Sequence, residues 1–446
     1  MPGLSDDKIA MLKGLVAASP DHVVRELERA VCKSGSTGAL AAVGALVEAE
    51  IAERSVRFTT LQPVAALFGP PAEDGRPAFP RPALSALWRG LKAEHPKQVQ
   101  TAVDACYYID PEEPWPEIFD RLCGLAAEGM KAGAQRDFAA AVAICDSVQP
   151  ELSRTLILAL EIAPIARPPL MKINDWLQRM TEERKATARL AYRDAEAVSE
   201  GGGPLLFEML ASHLAQPWLI LRIATSIMEH PGERYLASSE LALFGERALA
   251  DIEARVEQVR VLRPGAGVEV ARRAAAAVQR AIEEMDEFEQ SIQLSRDAPW
   301  GQRIAKLKLA LAGAVEMRLR EIDEAAAFAL PIQKIRYSGR LVSTMPKLDD
   351  APDEAAITWA LGLLTFADEV RSCASDGGFG GLRTRVLETL SKRIDQYADD
   401  LLEQMRLGDI EDDERAREYL DVAARLLSLS RDKKSGALIL RRAAAA

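Results

Sequence analysis

The segment Ser375-Asp376-Gly377-Gly378-Phe379-Gly380-Gly381 precedes Leu382-Arg383-Thr384-Arg385, which reads as the start of a helix. Backbone amides at such a start, here those of Gly380 and Gly381, can hold a phosphate or another anion, with Arg383 and Arg385 supplying positive charge. The glycine spacing is not GxGxxG, no strand precedes it and no Lys-Ser/Thr follows, so the dinucleotide fingerprint and the P-loop are both missing. The simpler reading is an exposed connector between helices, with glycine serving the chain reversal.

Other motifs are weaker. Asp349-Asp350-Ala351-Pro352-Asp353 spells DDxxD, a pattern that can hold magnesium and a diphosphate from one helix face. Pro352 sits inside it, and acids before a helix also serve the positive end of its dipole. The acidic run Gly408–Tyr419 fails as a calcium loop, because a count from Asp409 puts Glu414 where glycine is needed and Leu420 where glutamate is needed. It reads as a solvated loop and a helix start. No GxSxG elbow occurs.

The metal ligands are scattered. His22, His95, His213 and His230 are the four histidines, and none lies within four residues of another histidine or of a cysteine. Zinc sites need three or four such ligands at close spacing. The residues three before each histidine are Ser19, Lys92, Leu210 and Ile227, so the Glu-x-x-His pairs of a helical di-iron site are missing as well. Cys32, Cys106, Cys123, Cys145 and Cys373 form no CxxC, and their number is odd. Cys106, Cys145 and Cys373 follow apolar residues at helical spacing and read as small buried hydrophobes in a reducing compartment. The expectation is no metal and no cofactor.

The elements that carry these residues are helices almost throughout. The 446 residues are 48% hydrophobic and 28% charged, with only 5% aromatic, a globular composition rich in helix formers. Sixteen of the 24 prolines lie at or before Pro169 and none follows Pro352, so the first part should consist of short helices with proline-marked starts. Ser19-Pro20 reads as one such start, FGPPAEDGRPAFPRPA (68–83) as a surface loop, APIARPPL (163–170) as a boundary and EGGGP (200–204) as a break. No fixed repeat period is present.

After Tyr235 the helices lengthen. Leu241, Phe244, Ala248, Ile252, Val256 and Val259 form one apolar stripe. Val278, Ile282, Met285, Phe288 and Ile292 form a second, and Ile304, Leu307, Leu311, Val315, Leu319 and Ile322 a third. Short linkers then make antiparallel neighbours. The fold class expected is all-α: an N-terminal array of short helices, a long-helix antiparallel bundle and a C-terminal helical bundle. The segments expected are 1–165, an apolar connector 166–235, a three-helix bundle 236–345 and a C-terminal bundle 346–446 with a basic tail at Arg431, Lys433, Lys434, Arg441 and Arg442.

A net charge of −11 argues against general nucleic-acid binding, which needs a basic surface to displace counterions. The N-terminus lacks a basic segment followed by an apolar one, and the apolar runs are broken by Glu161 and Arg222, so neither a signal peptide nor a transmembrane helix is expected. The expectation is a bacterial, cytoplasmic, non-enzymatic scaffold or adaptor that binds protein partners, or further copies of itself, through helical surfaces. The alternative is an all-α enzyme or small-ligand regulator with a pocket in helices 204–230, near Trp218 and His213, or at the loop 375–381.

Overall fold

In a computed structural model of the protein, residues 6–34, 39–70, 75–110, 113–336, 342–410 and 412–446 are described. They form an all-α fold with one two-stranded sheet, divided into two compact units, Met1–Glu229 and His230–Ala446. The expected connector 166–235 runs across the division between these two units.

The first unit contains α1 (Asp6–Ala18), α2 (Asp21–Ser34), α3 (Ala39–Thr60), α4 (Gln62–Ala65), α5 (Arg81–Glu94), α6 (Pro96–Cys106) and α7 (Glu117–Ala132). It continues with α8 (Arg136–Val148), α9 (Leu152–Glu161), α10 (Ala163–Gln178), α11 (Glu182–Val198), α12 (Gly202–Ser212) and α13 (Ile220–Ser226). Proline stands in the first turn of α4, α5, α6 and α10, where its missing N–H costs nothing. Ser19 does not cap α2; its hydroxyl donates back to the Leu15 carbonyl of α1 at 2.8 Å. Arg54 holds this corner, donating to the carbonyls of Val16 and Ser19 and to the carboxylates of Asp21 and Glu50. The segment 163–170 forms the first turns of α10: the chain turns one residue earlier, at Ile162, and Pro168 and Pro169 lie inside the helix.

The proline-rich segment 68–83 is pinned to the core. Phe79 is fully buried, its ring 5.4 Å from that of Phe68, and its N–H donates to the Leu67 carbonyl at 2.8 Å. Residues 71–74 of that segment lie outside the described residues. The helix α12 is buried on every side, from Leu205 through Ala211, which suits an element apolar all round. Arg167 of α10 is buried and joins three helices. It donates to the Thr60 carbonyl at the end of α3 (2.9 Å) and to Asp120 of α7 (2.6 Å), and it lies against the rings of Trp115 and Phe119, which touch each other edge-on. The last carbonyls of a helix have no partner within it, and this guanidinium supplies one.

The second unit contains α14 (Glu233–Ala237), α15 (Ala242–Arg260), α16 (Val268–Ser291) and α17 (Pro299–Ala329), then the strands β1 (Ile332–Arg336) and β2 (Val342–Pro346). It ends with α18 (Glu354–Glu369), α19 (Gly380–Leu407), α20 (Asp413–Ser430) and α21 (Lys433–Ala445). Every residue of the three apolar stripes named above is buried. The helices α15, α16 and α17 pack on one another, and α18 packs on both α16 and α17. The helix α18 is apolar nearly all round, and Gly362 lets it come close: a Cβ there would stand 2.7 Å from the Ala266 carbonyl oxygen. The hairpin was not evident in the sequence. Its strands pair antiparallel, with Ile332 opposite Pro346 and Lys334 opposite Thr344.

Candidate interaction surface on the longest helix

At 31 residues, α17 is the longest described helix. Its inner face carries Ile304, Leu307, Leu311, Val315, Leu319 and Ile322, all buried. Its outer face carries a second series, Leu309, Gly313, Met317, Arg320, Glu324 and Phe328, spaced 4, 4, 3, 4, 4. All six are exposed, and Leu309, Met317 and Phe328 are open to 76%, 50% and 64%. A shallow depression between Gly313 and Glu324 is lined by Glu316, Met317, Arg320 and Glu321.

Polar contacts fix this helix firmly. At its start the buried Glu233 accepts the backbone N–H groups of Trp300 and Gly301, and Glu246 accepts the Trp300 indole N–H and pairs with Arg303. In its middle the buried Arg318 donates to the Leu262 carbonyl and pairs with Glu321 at 3.0 Å. Burial pushes the Glu321 carboxyl above its ordinary range, and Arg318 opposes that rise. On the outer face Glu316 and Arg320 pair at 3.0 Å, one turn apart. The outer face thus carries three large apolar side chains, with the Glu316–Arg320 pair and Glu324 among them.

The sites marked in the sequence have other surroundings. Gly380 and Gly381 open α19, and Arg383 donates to the Ala367 carbonyl at the end of α18, 2.5 Å away, while Arg385 is exposed. Amides of the preceding loop turn inward, Gly377 to the Cys373 carbonyl and Phe379 to that of Ala374. In the 204–230 region, Trp218 is buried and His213 ends α12. Burial pushes His213 down, with the backbone of Gln62 and Pro63 opposing the shift. Asp353 caps α18 by accepting from Ala355 and Ala356, while Asp349 and Asp350 lie beside Lys347.

Cys123, Cys145 and Cys373 are buried, Cys106 half-buried and Cys32 exposed. Burial pushes the thiols of Cys123 and Cys145 up to about 12, which leaves them protonated and poorly nucleophilic. The basic C-terminal residues belong to α21 and its approach. Arg431 pairs with Asp395 and Arg442 with Asp399, both acids on α19. Among the described residues no group of three or more His, Cys, Asp or Glu is arranged to hold a metal ion, and no helix is long and apolar enough to cross a membrane.

The outer stripe of α17 was overlooked in the sequence. A signal was present, since Leu309 and Met317 flank Gly313 at four-residue steps. Two apolar faces on one helix look the same as a helix buried all round until its neighbours are known. No family model, curated protein or solved structure matches the chain.

Proposed function

We propose that the chain is a non-enzymatic helical scaffold or adaptor that binds protein partners through its helical surfaces. One observation carries this reading: the exposed stripe Leu309, Met317 and Phe328 lies on a helix whose opposite face is already fully engaged. Interfaces are built on such exposed apolar side chains with charged groups at their margin, and Met and Phe are favoured there. The net charge of −11 favours protein partners over nucleic acid. Five unpaired cysteines, three of them buried, favour a reducing compartment such as the cytoplasm.

The test is native mass spectrometry of the affinity-purified full chain, beside variants Leu309→Glu and Phe328→Glu. The expected result is a stoichiometric protein component, a different chain or a second copy, that is lost in both variants. A chain that carries a small metabolite instead, unchanged in the variants, overturns the reading in favour of an enzyme or ligand sensor.

A further inference from the structure

Building on that reading, we infer that the outer face of α17 is the seam of a twofold-symmetric dimer in which two copies of the helix cross antiparallel, Leu309 meeting the partner's Phe328. The ground is that this face is self-complementary. In an antiparallel pair about a twofold axis, residues whose numbers share one sum stand level with each other. The axis passing between Arg318 and Leu319 sets Leu309 level with the partner's Phe328, Gly313 with the partner's Glu324 and Met317 with the partner's Arg320. All six stripe positions are thereby paired with none left over. The two most exposed large apolar side chains of the helix, Leu309 and Phe328, cover each other at both ends of a seam about 28 Å long at the usual helical rise.

Charge agrees with the same register. Arg320 of each copy falls beside Glu316 of the other, one residue from level, so the acid–base pair now closed within one helix can be shared across the axis, while Glu321, level with the partner's Glu316, is paired with Arg318 of its own helix. Gly313 leaves room for the partner's Glu324 stem, since no atom of the chain lies within 4 Å of where its Cβ would be. The contact is isologous and closed: each copy uses the same patch, so assembly stops at two.

Sedimentation equilibrium of the full chain at micromolar concentrations tests this. The wild type is expected at twice the 48.6 kDa chain mass. Leu309→Lys alone and Phe328→Glu alone should each give the monomer. The double variant Leu309→Lys/Phe328→Glu should restore the dimer, because each new lysine then faces a new glutamate twice over. Both positions are exposed, so circular dichroism should be unchanged in all variants. Three results overturn the inference: a monomeric wild type, a dimer that survives both single substitutions, or a double variant that stays monomeric. A monomeric wild type that still carries a different stoichiometric protein, lost on Leu309→Lys, sinks the dimer while leaving the scaffold reading intact. A monomer with no protein partner sinks both.

Discussion

The carboxylate of Glu233 accepts the backbone N–H of Trp300 at 2.6 Å, across 67 residues of chain. The same carboxylate accepts from Gly301 and from Ser295, both at 3.3 Å, so one buried acid caps the start of the longest helix from a distance. The residue that would cap α17 locally is Ala298, which has no side-chain acceptor. Glu233→Ala leaves buried amides without a partner and should cost about 2 kcal/mol, with Glu233→Gln losing less. Urea unfolding followed by circular dichroism reads both; equal stability of wild type and alanine variant refutes the capping role.

Arg167 presents a second buried charge with a fixed duty. Arg167→Met strands the Thr60 carbonyl and the Asp120 carboxylate and should destabilise the protein by about 3 kcal/mol. Arg167→Lys should recover little of this, because an ammonium cannot reach both acceptors and lacks the planar group that lies against Trp115 and Phe119. Thermal unfolding of the three proteins decides it, and full rescue by lysine would contradict the geometry.

In the second unit, Ile252 is fully buried and Ile252→Asp should cost on the order of 3 kcal/mol or more, from lost packing and a desolvated carboxylate. Glu253, its neighbour, pairs with Arg303 at 2.9 Å on the surface. Glu253→Lys sets two cations against each other and should cost about 0.5 kcal/mol, the scale of exposed ion pairs. A denaturant series with both variants checks the ratio; equal costs would place the seam elsewhere.

Two glycines of α7 should behave oppositely. A Cβ at Gly129 would stand 2.5 Å from the buried ring of Phe138, whereas one at Gly124 meets nothing within 4 Å. Gly124→Ala should stabilise by about 0.5–1 kcal/mol through helix propensity, and Gly129→Ala should destabilise by about 1–3 kcal/mol through overpacking. Melting temperatures moving in the same direction would contradict this.

His213 sets a pH dependence. Its folded pKa lies below its unfolded one because burial disfavours the imidazolium. The unfolded chain therefore binds the proton more readily. The stability contribution is fully present above the unfolded value, about 6.5, and is lost as pH falls below that toward the folded value. The urea midpoint of the wild type should drop between neutral and mildly acidic pH by more than that of His213→Gln. A parallel drop in both would exclude His213 as the source.

The all-α fold and the inner faces of α15, α16 and α17 were legible in the sequence, because an apolar period of 3.6 survives any arrangement of neighbours. The buried state of Cys145 and Cys373 was legible for the same reason. Other features depended on residues far apart in the chain. Glu233 reads as one surface acid among 67 acidic residues until the fold brings it to Trp300, and the bond from Arg383 to the Ala367 carbonyl spans 16 residues. The hairpin 332–346 was illegible because two five-residue strands carry too few alternations to stand out. The outer stripe of α17 shows the limit most clearly. Leu309 and Leu311 are the same residue type two positions apart, yet one is 76% exposed and the other 2%. Local sequence placed both on a helix; only tertiary packing, which covers one side of that helix and not the other, made Leu311 core and Leu309 surface.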